Sequence, residues 1–287
     1  MEAKEIQEVR NVTPGFLAPG EVAKAIIGVG KAKTSLSVMQ MVILGILAGA
    51  FIGFGSELAT MVSFDMSKFL GVGFAKFIFG SVFSVGLILV VIAGAELFTG
   101  NNLIFIGVLT GDVKFSKMLN NWFWVYVANF IGSLLLVWIM YATGLWKTGD
   151  FGVGAKALAI ANGKVNLAWG AAFARAIGCN WLVCLAVWLA VASKDVVGKI
   201  FAIYFPIMAF VASGFEHSVA NMYFIPMGIL LKNNADVVAA AGLTDKLANL
   251  NWGGFVNNLI PVTLGNIVGG AFFVSALYWA VYSKGKK

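Results

Sequence analysis

The 287-residue chain is too apolar for a water-soluble domain, since 60% of its residues are hydrophobic, 11% are charged and the mean hydropathy is +0.89. Its net charge of +7 does not indicate a nucleic-acid partner, because it has no arginine-rich or aromatic-basic patch. One histidine and two cysteines provide no ligand set for a metal or a haem. The composition predicts a polytopic membrane protein without a cofactor, and not an enzyme.

The N-terminal segment has mixed charge and no apolar core, so no signal peptide is expected. Residues 18–33 place Val22, Ile26 and Val29 at helical spacing, with the lysines mostly elsewhere. This pattern predicts an amphipathic helix that lies on the membrane surface before the first span.

Six membrane spans are predicted from uncharged segments that are long enough to cross a hydrocarbon layer of about 30 Å. Five of these segments are uninterrupted and lie between Lys33 and Glu57, Lys76 and Glu96, Lys117 and Lys147, Arg175 and Lys194, and Lys246 and Lys284. The remaining segment begins after Lys199 and is interrupted by Glu216 and His217.

An even number of spans places both termini on one side of the membrane. Of the 20 basic residues, 12 fall on that side, 7 fall on the other, and Arg175 begins the fourth span. Basic residues are enriched on the cytoplasmic side of membrane proteins. We therefore expect cytoplasmic termini and a location in the inner (plasma) membrane.

Two octapeptides in the second and fifth hydrophobic regions share the pattern G-x-E-x-x-x-x-N. They are GAELFTGN, residues 94–101, and GFEHSVAN, residues 214–221, and their glycine, glutamate and asparagine match at one constant offset. Each lies in a region that is too long for one span and too short for two. This is typical of a helix broken at membrane depth, where bare backbone is tolerated only inside protein or beside a watery cavity.

A second set of matches, at its own constant offset, joins the third and sixth spans. Since each half, 34–146 and 167–283, contributes three spans, the second half is inserted upside down relative to the first. The sequence thus predicts one all-α channel domain of two inverted three-helix repeats, with helices 2 and 5 broken. The matching positions are Asn121, Asn129, Gly132 and Tyr141 with Asn258, Asn266, Gly269 and Tyr278.

Polar side chains at the breaks are the candidate functional residues. His217 is an ionisable group inside a span, which favours a functional role, and its imidazole offers a hydrogen bond or a proton to an anion. Glu96 and Glu216 are interpreted as structural, because a carboxylate can accept from exposed backbone N–H groups. Thr99 is either a pore hydroxyl or a packing residue, and Asn180 is either a link between helices or a solute contact.

The segments GAELFTGN, GFEHSVANMYFIPMG and NLIPVTLGNIVGG closely resemble the formate/nitrite transporter family, whose members include hydrosulfide channels. The resemblance covers nearly the whole chain, as far as Tyr282. It implies an aquaporin-like protomer, a homopentamer in the lipid membrane with one pore in each protomer, and transport of small monovalent anions of weak acids.

The resemblance also implies roles for individual residues. His217 matches the central pore histidine and Thr99 the hydroxyl that faces it, while Asn180 matches a pore asparagine and Lys164 a vestibule lysine that attracts anions. The implied hydrophobic constrictions are Phe83, Leu87, Leu97, Phe98, Val183 and Phe210. The implied supports of the two breaks are Glu96, Glu216, Asn101, Asn221 and Asn266.

One turn departs from the family's formate channels, because Gly100, Asn101 and Asn102 follow Thr99 where small or β-branched residues are typical. This departure favours hydrosulfide as the first substrate, followed by formate and nitrite. The alternative is an aquaglyceroporin-like channel for neutral solutes, although its two Asn-Pro-Ala turns are absent from the sequence. The sequence leaves open the choice between channel and proton symport, and any gating by the N-terminal helix.

Overall fold

The computed structural model describes residues 15–244 and 247–285, which form helices and the turns between them. The helices are α1 (Pro19–Ser35), α2 (Val38–Ser63), α3 (Met66–Gly94), α4 (Phe98–Leu109), α5 (Phe115–Thr143), α6 (Gly152–Val165), α7 (Trp169–Ala192), α8 (Val196–Ser213), α9 (Ser218–Leu231), α10 (Ala235–Ala241) and α11 (Trp252–Tyr282).

Helices α2, α3, α5, α7, α8 and α11 are long and apolar enough to cross a membrane. The six predicted spans are therefore confirmed. The orientation of the termini stays a prediction, and five of the basic residues on which it depends lie outside the described residues. These are Lys4, Arg10, Lys246, Lys286 and Lys287.

Both predicted helix breaks are present, and each begins at the glycine of its motif. Gly94 ends α3 with φ of 91°, and Gly214 ends α8 with φ of 77°, a conformation that L side chains rarely adopt. The chain then runs through extended residues, Leu97 and His217, which are the N-cap positions of the short helices α4 and α9. Each break thus exposes backbone and a helix N-terminus at membrane depth.

The repeat is visible in helix packing as well as in the breaks. A Cβ atom on Gly132 of α5 would lie 1.9 Å from the carbonyl oxygen of Ile46 in α2. A Cβ atom on Gly269 of α11 would lie 2.4 Å from the carbonyl oxygen of Ile177 in α7. These glycines are therefore required for the close approach of equivalent helix pairs in the two halves, as small residues are in other membrane bundles.

One further helix precedes the first span of each half: α1 in the first half and α6 in the second. Helix α1 buries Val22 and Ile26, and Val29 remains exposed. Helix α6 contacts α9 and α10, and it occupies a stretch for which no helix is predicted from the sequence. The offset in residue number that relates Ile46 to Ile177 also relates α1 to α6.

Candidate functional site

A small chamber lies between the two breaks. Its volume is about 10 Å³, which is about the space of one water molecule at most. Apart from one imidazole, its lining is hydrocarbon: Ile52, Phe83, Leu87, Leu97, Val183, Ile207, Phe210 and His217.

Five of the six residues expected at constrictions therefore line this chamber. The sixth, Phe98, does not, because its ring packs on Tyr126 and Trp122, with centroids 4.8 Å and 5.9 Å away. Two further lining residues, Ile52 and Ile207, were not among the predicted site residues. Both are ordinary aliphatic side chains of spans, so no signal in the sequence separates them from core residues.

His217 is held in one orientation by the end of helix α9. Its Nδ1 accepts a hydrogen bond from the backbone N–H of Ala220 at 3.0 Å, so the neutral ring carries its proton on Nε2. Nε2 lies 2.9 Å from the Thr99 hydroxyl oxygen, to which it donates. His217 is only 3% exposed. The two breaks thus bring one N–H group, from His217, and one hydroxyl, from Thr99, together beside a hydrophobic chamber.

The second break is held by a closed ring of polar side chains. Lys164 Nζ lies 3.0 Å and 3.1 Å from the two carboxylate oxygens of Glu216. Asn221 donates to Glu216 at 2.7 Å and to the side-chain oxygen of Asn258 at 2.7 Å. Asn258 in turn donates to the backbone oxygen of Lys164 at 2.9 Å, which closes the ring.

The first break carries the same ring, with Lys33 in place of Lys164. Lys33 Nζ donates to Glu96 at 2.5 Å, and Asn101 donates to Glu96 at 2.7 Å and to Asn121 at 2.8 Å. Asn121 donates to the backbone oxygen of Lys33 at 3.2 Å. Lys33 was not predicted as a partner of Glu96; the available signal was a lysine at the equivalent position before the first span of each half.

Two equivalent asparagines satisfy the exposed backbone of the breaks. Asn129 donates to the carbonyl oxygens of Gly45 and Glu96, each at 2.8 Å, and accepts from the N–H of Phe98 at 3.0 Å. Asn266 repeats this pattern at the second break, with the carbonyl oxygens of Ala176 and Glu216 and the N–H of Ser218. Such partners are what allow irregular backbone at membrane depth.

Asn180 joins the two halves. Its side-chain nitrogen lies 3.2 Å from the backbone oxygen of Thr99, 2.8 Å from the side-chain oxygen of Asn102 and 2.7 Å from the backbone oxygen of Asn266. It does not line the chamber. Of the two interpretations that the sequence left open, the structure favours the link between helices.

Two vestibules lead to the chamber from opposite faces of the membrane bundle. The α6 vestibule, about 440 Å³, shares Phe83, Phe210 and His217 with the chamber, and its charged residues are Lys76, Lys156, Lys164 and Glu216. The α1 vestibule, about 490 Å³, shares Leu87 and Leu97 with the chamber, and its charged residues are Lys33 and Glu96. The path is therefore narrowed by two phenylalanines on one side and by two leucines on the other.

The sequence profile of the formate/nitrite transporter family matches residues 20–280. The chain belongs to this family. Among curated relatives, a probable formate transporter of Methanothermobacter thermautotrophicus is 47% identical over 94% of this chain and 98% of its own length. The formate channel FocA of Escherichia coli K12 is 36% identical over 93% of this chain and 95% of its own length.

Solved structures show the same architecture. A pentameric formate channel with formate bound is 39% identical, with a TM-score of 0.76 over 86% of this chain and 98% of that chain. An ion channel of the same family is 27% identical, with a TM-score of 0.75 over 91% of this chain and 98% of that chain. These comparisons confirm the family, the fold and a membrane transporter rather than an enzyme. Where the names of these relatives state a substrate, it is formate and not hydrosulfide.

Proposed function

We propose that this protein is a channel for formate and similar monovalent anions of weak acids, assembled as a homopentamer with one pore in each protomer. The observation that supports it most is the pairing of His217 Nε2 with the Thr99 hydroxyl beside an otherwise hydrocarbon chamber. The names of the relatives support formate as the first candidate substrate, and hydrosulfide and nitrite are the other candidates.

The physical problem of transport is the dehydration of a small anion. An unpaired ion in a low-dielectric region costs tens of kcal/mol in the idealised limit. Lys164 lines one vestibule and Lys33 the other, each in an ion pair with the glutamate of its break. Between them, His217 Nε2–H exchanges the Thr99 hydroxyl oxygen for the anion as its hydrogen-bond acceptor, and this hydrogen bond replaces part of the lost water.

The geometry favours hydrogen bonding by His217 over proton donation. A positively charged imidazole carries a proton on both nitrogens, and a proton on Nδ1 would face the backbone N–H of Ala220, which is itself a donor. We therefore infer that His217 acts as a neutral donor. Any proton that crosses with the anion comes from water rather than from this ring.

The orientation in the membrane follows from the distribution of basic residues. If the termini are cytoplasmic, the α1 vestibule opens to the cytoplasm and the α6 vestibule opens to the opposite side of the membrane. Either direction of flux is open to such a pore, because both vestibules reach the same chamber.

The experiment is a flux assay on proteoliposomes with formate, hydrosulfide, nitrite, lactate and chloride in parallel, after size-exclusion chromatography to establish the pentamer. We expect rapid formate flux and no chloride flux. Faster hydrosulfide than formate flux would restore the substrate order predicted from the sequence. Strong water permeability without anion flux would contradict the proposal and favour the aquaglyceroporin-like alternative.

A further inference from the structure

The α6 vestibule contains a second lysine on the helix that carries Lys164. Lys156, Ile160 and Lys164 all line it, and their spacing of four residues places them along one face of α6. At 1.5 Å per residue, the eight residues from Lys156 to Lys164 correspond to about 12 Å along the helix axis. Since Lys164 contacts Glu216 at the break, Lys156 lies on the outer side.

The two lysines differ in their partners. Lys164 forms an ion pair with Glu216, so the pair has no net charge. Within residues 15–244 and 247–285, Lys156 has neither a hydrogen-bond partner nor an ion-pair partner. It is half-buried, and this burial lowers the pKa of its ammonium group from the ordinary value. An anion beside Lys156 would offset the cost of burying an unpaired cation.

The α1 vestibule has no equivalent group in the part of the chain that the structure describes. Its charged lining residues, Lys33 and Glu96, neutralise each other. At the offset that relates Lys33 to Lys164, the position equivalent to Lys156 is Ala25. The additional charge is therefore a feature of one half of the repeat, and not a requirement of the scaffold.

We propose that Lys156 is an outer capture site for the transported weak-acid anion, which makes entry from the α6 face faster than entry from the α1 face. This inference rests on the proposed function. Lys76, which also lines this vestibule, is exposed, so its charge is screened by salt over about 8 Å at physiological ionic strength. The half-buried Lys156 lies in a vestibule that apolar residues such as Phe79 and Phe83 also line, so it acts in a medium of lower dielectric constant.

A capture site of this kind changes the rate of encounter more than the rate of crossing. It raises the local concentration of anions at the mouth and passes them inward to Lys164 and the His217 donor. We therefore expect an effect on flux at low formate concentration and no effect at saturation. The effect should also disappear at high ionic strength, where charged walls are screened.

The experiment replaces Lys156 by cysteine and restores or reverses its charge. The natural cysteines, Cys179 and Cys184, are fully buried, so membrane-impermeant methanethiosulfonate reagents should leave them unmodified. K156C should show about threefold lower formate flux at low formate concentration and low salt, which is less than the roughly tenfold or larger effect of a whole charged cleft because only one charge is removed. A cationic reagent added on the α6 face should restore the flux, and an anionic reagent should lower it further.

The matched control is K147C, because Lys147 is an exposed lysine between α5 and α6 that does not line the vestibule. Neither reagent should change its flux. Equal fluxes after cationic and anionic modification of K156C would overturn the inference, as would an equal response of K147C. Absence of formate flux in the wild-type pentamer would instead contradict the proposed function.

Discussion

The two helix breaks have the same polar scaffold and different chemistry at the pore. Lys33, Glu96, Asn101 and Asn121 make the same set of contacts at the first break as Lys164, Glu216, Asn221 and Asn258 make at the second. At the offset that relates the two motifs, however, His217 corresponds to Leu97, and both line the chamber.

This comparison separates structural from functional residues. A buried carboxylate at a helix break needs a cation and amide donors wherever it occurs, so the ring is repeated. The imidazole of His217 and the half-buried Lys156 have no equivalents in the first half, where Leu97 and Ala25 stand at the matching positions, so the fold does not require them. They are the residues on which we expect transport to depend.

The largest effect is expected from His217→Leu, which makes the two breaks alike at the chamber. Without the Nε2 donor the anion loses a charged hydrogen bond, worth up to about 3 kcal/mol, and formate flux should fall about 100-fold. The measurement is proteoliposome flux on pentamers that elute as wild type in size-exclusion chromatography. Undiminished flux in assembled His217→Leu would show that the histidine is not the central donor.

A smaller effect, on stability, is expected from removing the lysine ammonium group from the ring of polar side chains at either break. Lys164→Met leaves the Glu216 carboxylate, whose side chain is 5% exposed, without its ion-pair partner, and Lys33→Met does the same to Glu96. Each change should cost about 2 kcal/mol, less than a fully buried pair, because the lysines keep some solvent contact. Thermal unfolding of the detergent-solubilised pentamer measures the loss.

The double variants K164M/E216Q and K33M/E96Q are the controls for this pair of changes. Each should recover most of the melting temperature, since no charge is then left unpaired. If the single variants melt as wild type does, the ion pairs do not hold the breaks.

The smallest effect is expected from Asn129→Ala and Asn266→Ala. Each removes hydrogen bonds to two backbone carbonyls and one backbone N–H at a break. Side-chain hydrogen bonds in membranes average about 0.6 kcal/mol, so we expect a loss of about 1 kcal/mol at either position. Equal shifts in melting temperature would support the equivalence of the breaks, and a shift at only one of them would contradict it.

The family resemblance and the broken helices could be predicted from the sequence because their signals are local. The glycines at positions 94 and 214 lie two residues before a glutamate inside a hydrophobic region, and the pattern recurs at one offset. A glycine is favoured where the backbone needs a positive φ, and a charged residue stands out inside an apolar segment. Both signals can therefore be recognised from single residues in the sequence.

The site could be predicted only in part. Lys33 lies 63 residues before Glu96. Its position at the end of the predicted amphipathic helix gave no indication that it would contact Glu96. Phe98 and Leu97 are adjacent and equally apolar, yet only Leu97 lines the chamber. Asn180 was compatible with two roles until its partners on other helices were known.

The sequence by itself determined a six-span membrane protein of two inverted halves, with a histidine inside one break, because hydropathy, charge and helix-breaking residues act over short stretches of chain. Only the tertiary structure decided which lysine neutralises which carboxylate, and that the half-buried Lys156 has no ion-pair partner among the described residues. Those outcomes depend on distances between helices that are far apart in the chain, and a buried charge is stabilised by whatever group the packing brings within a few ångströms.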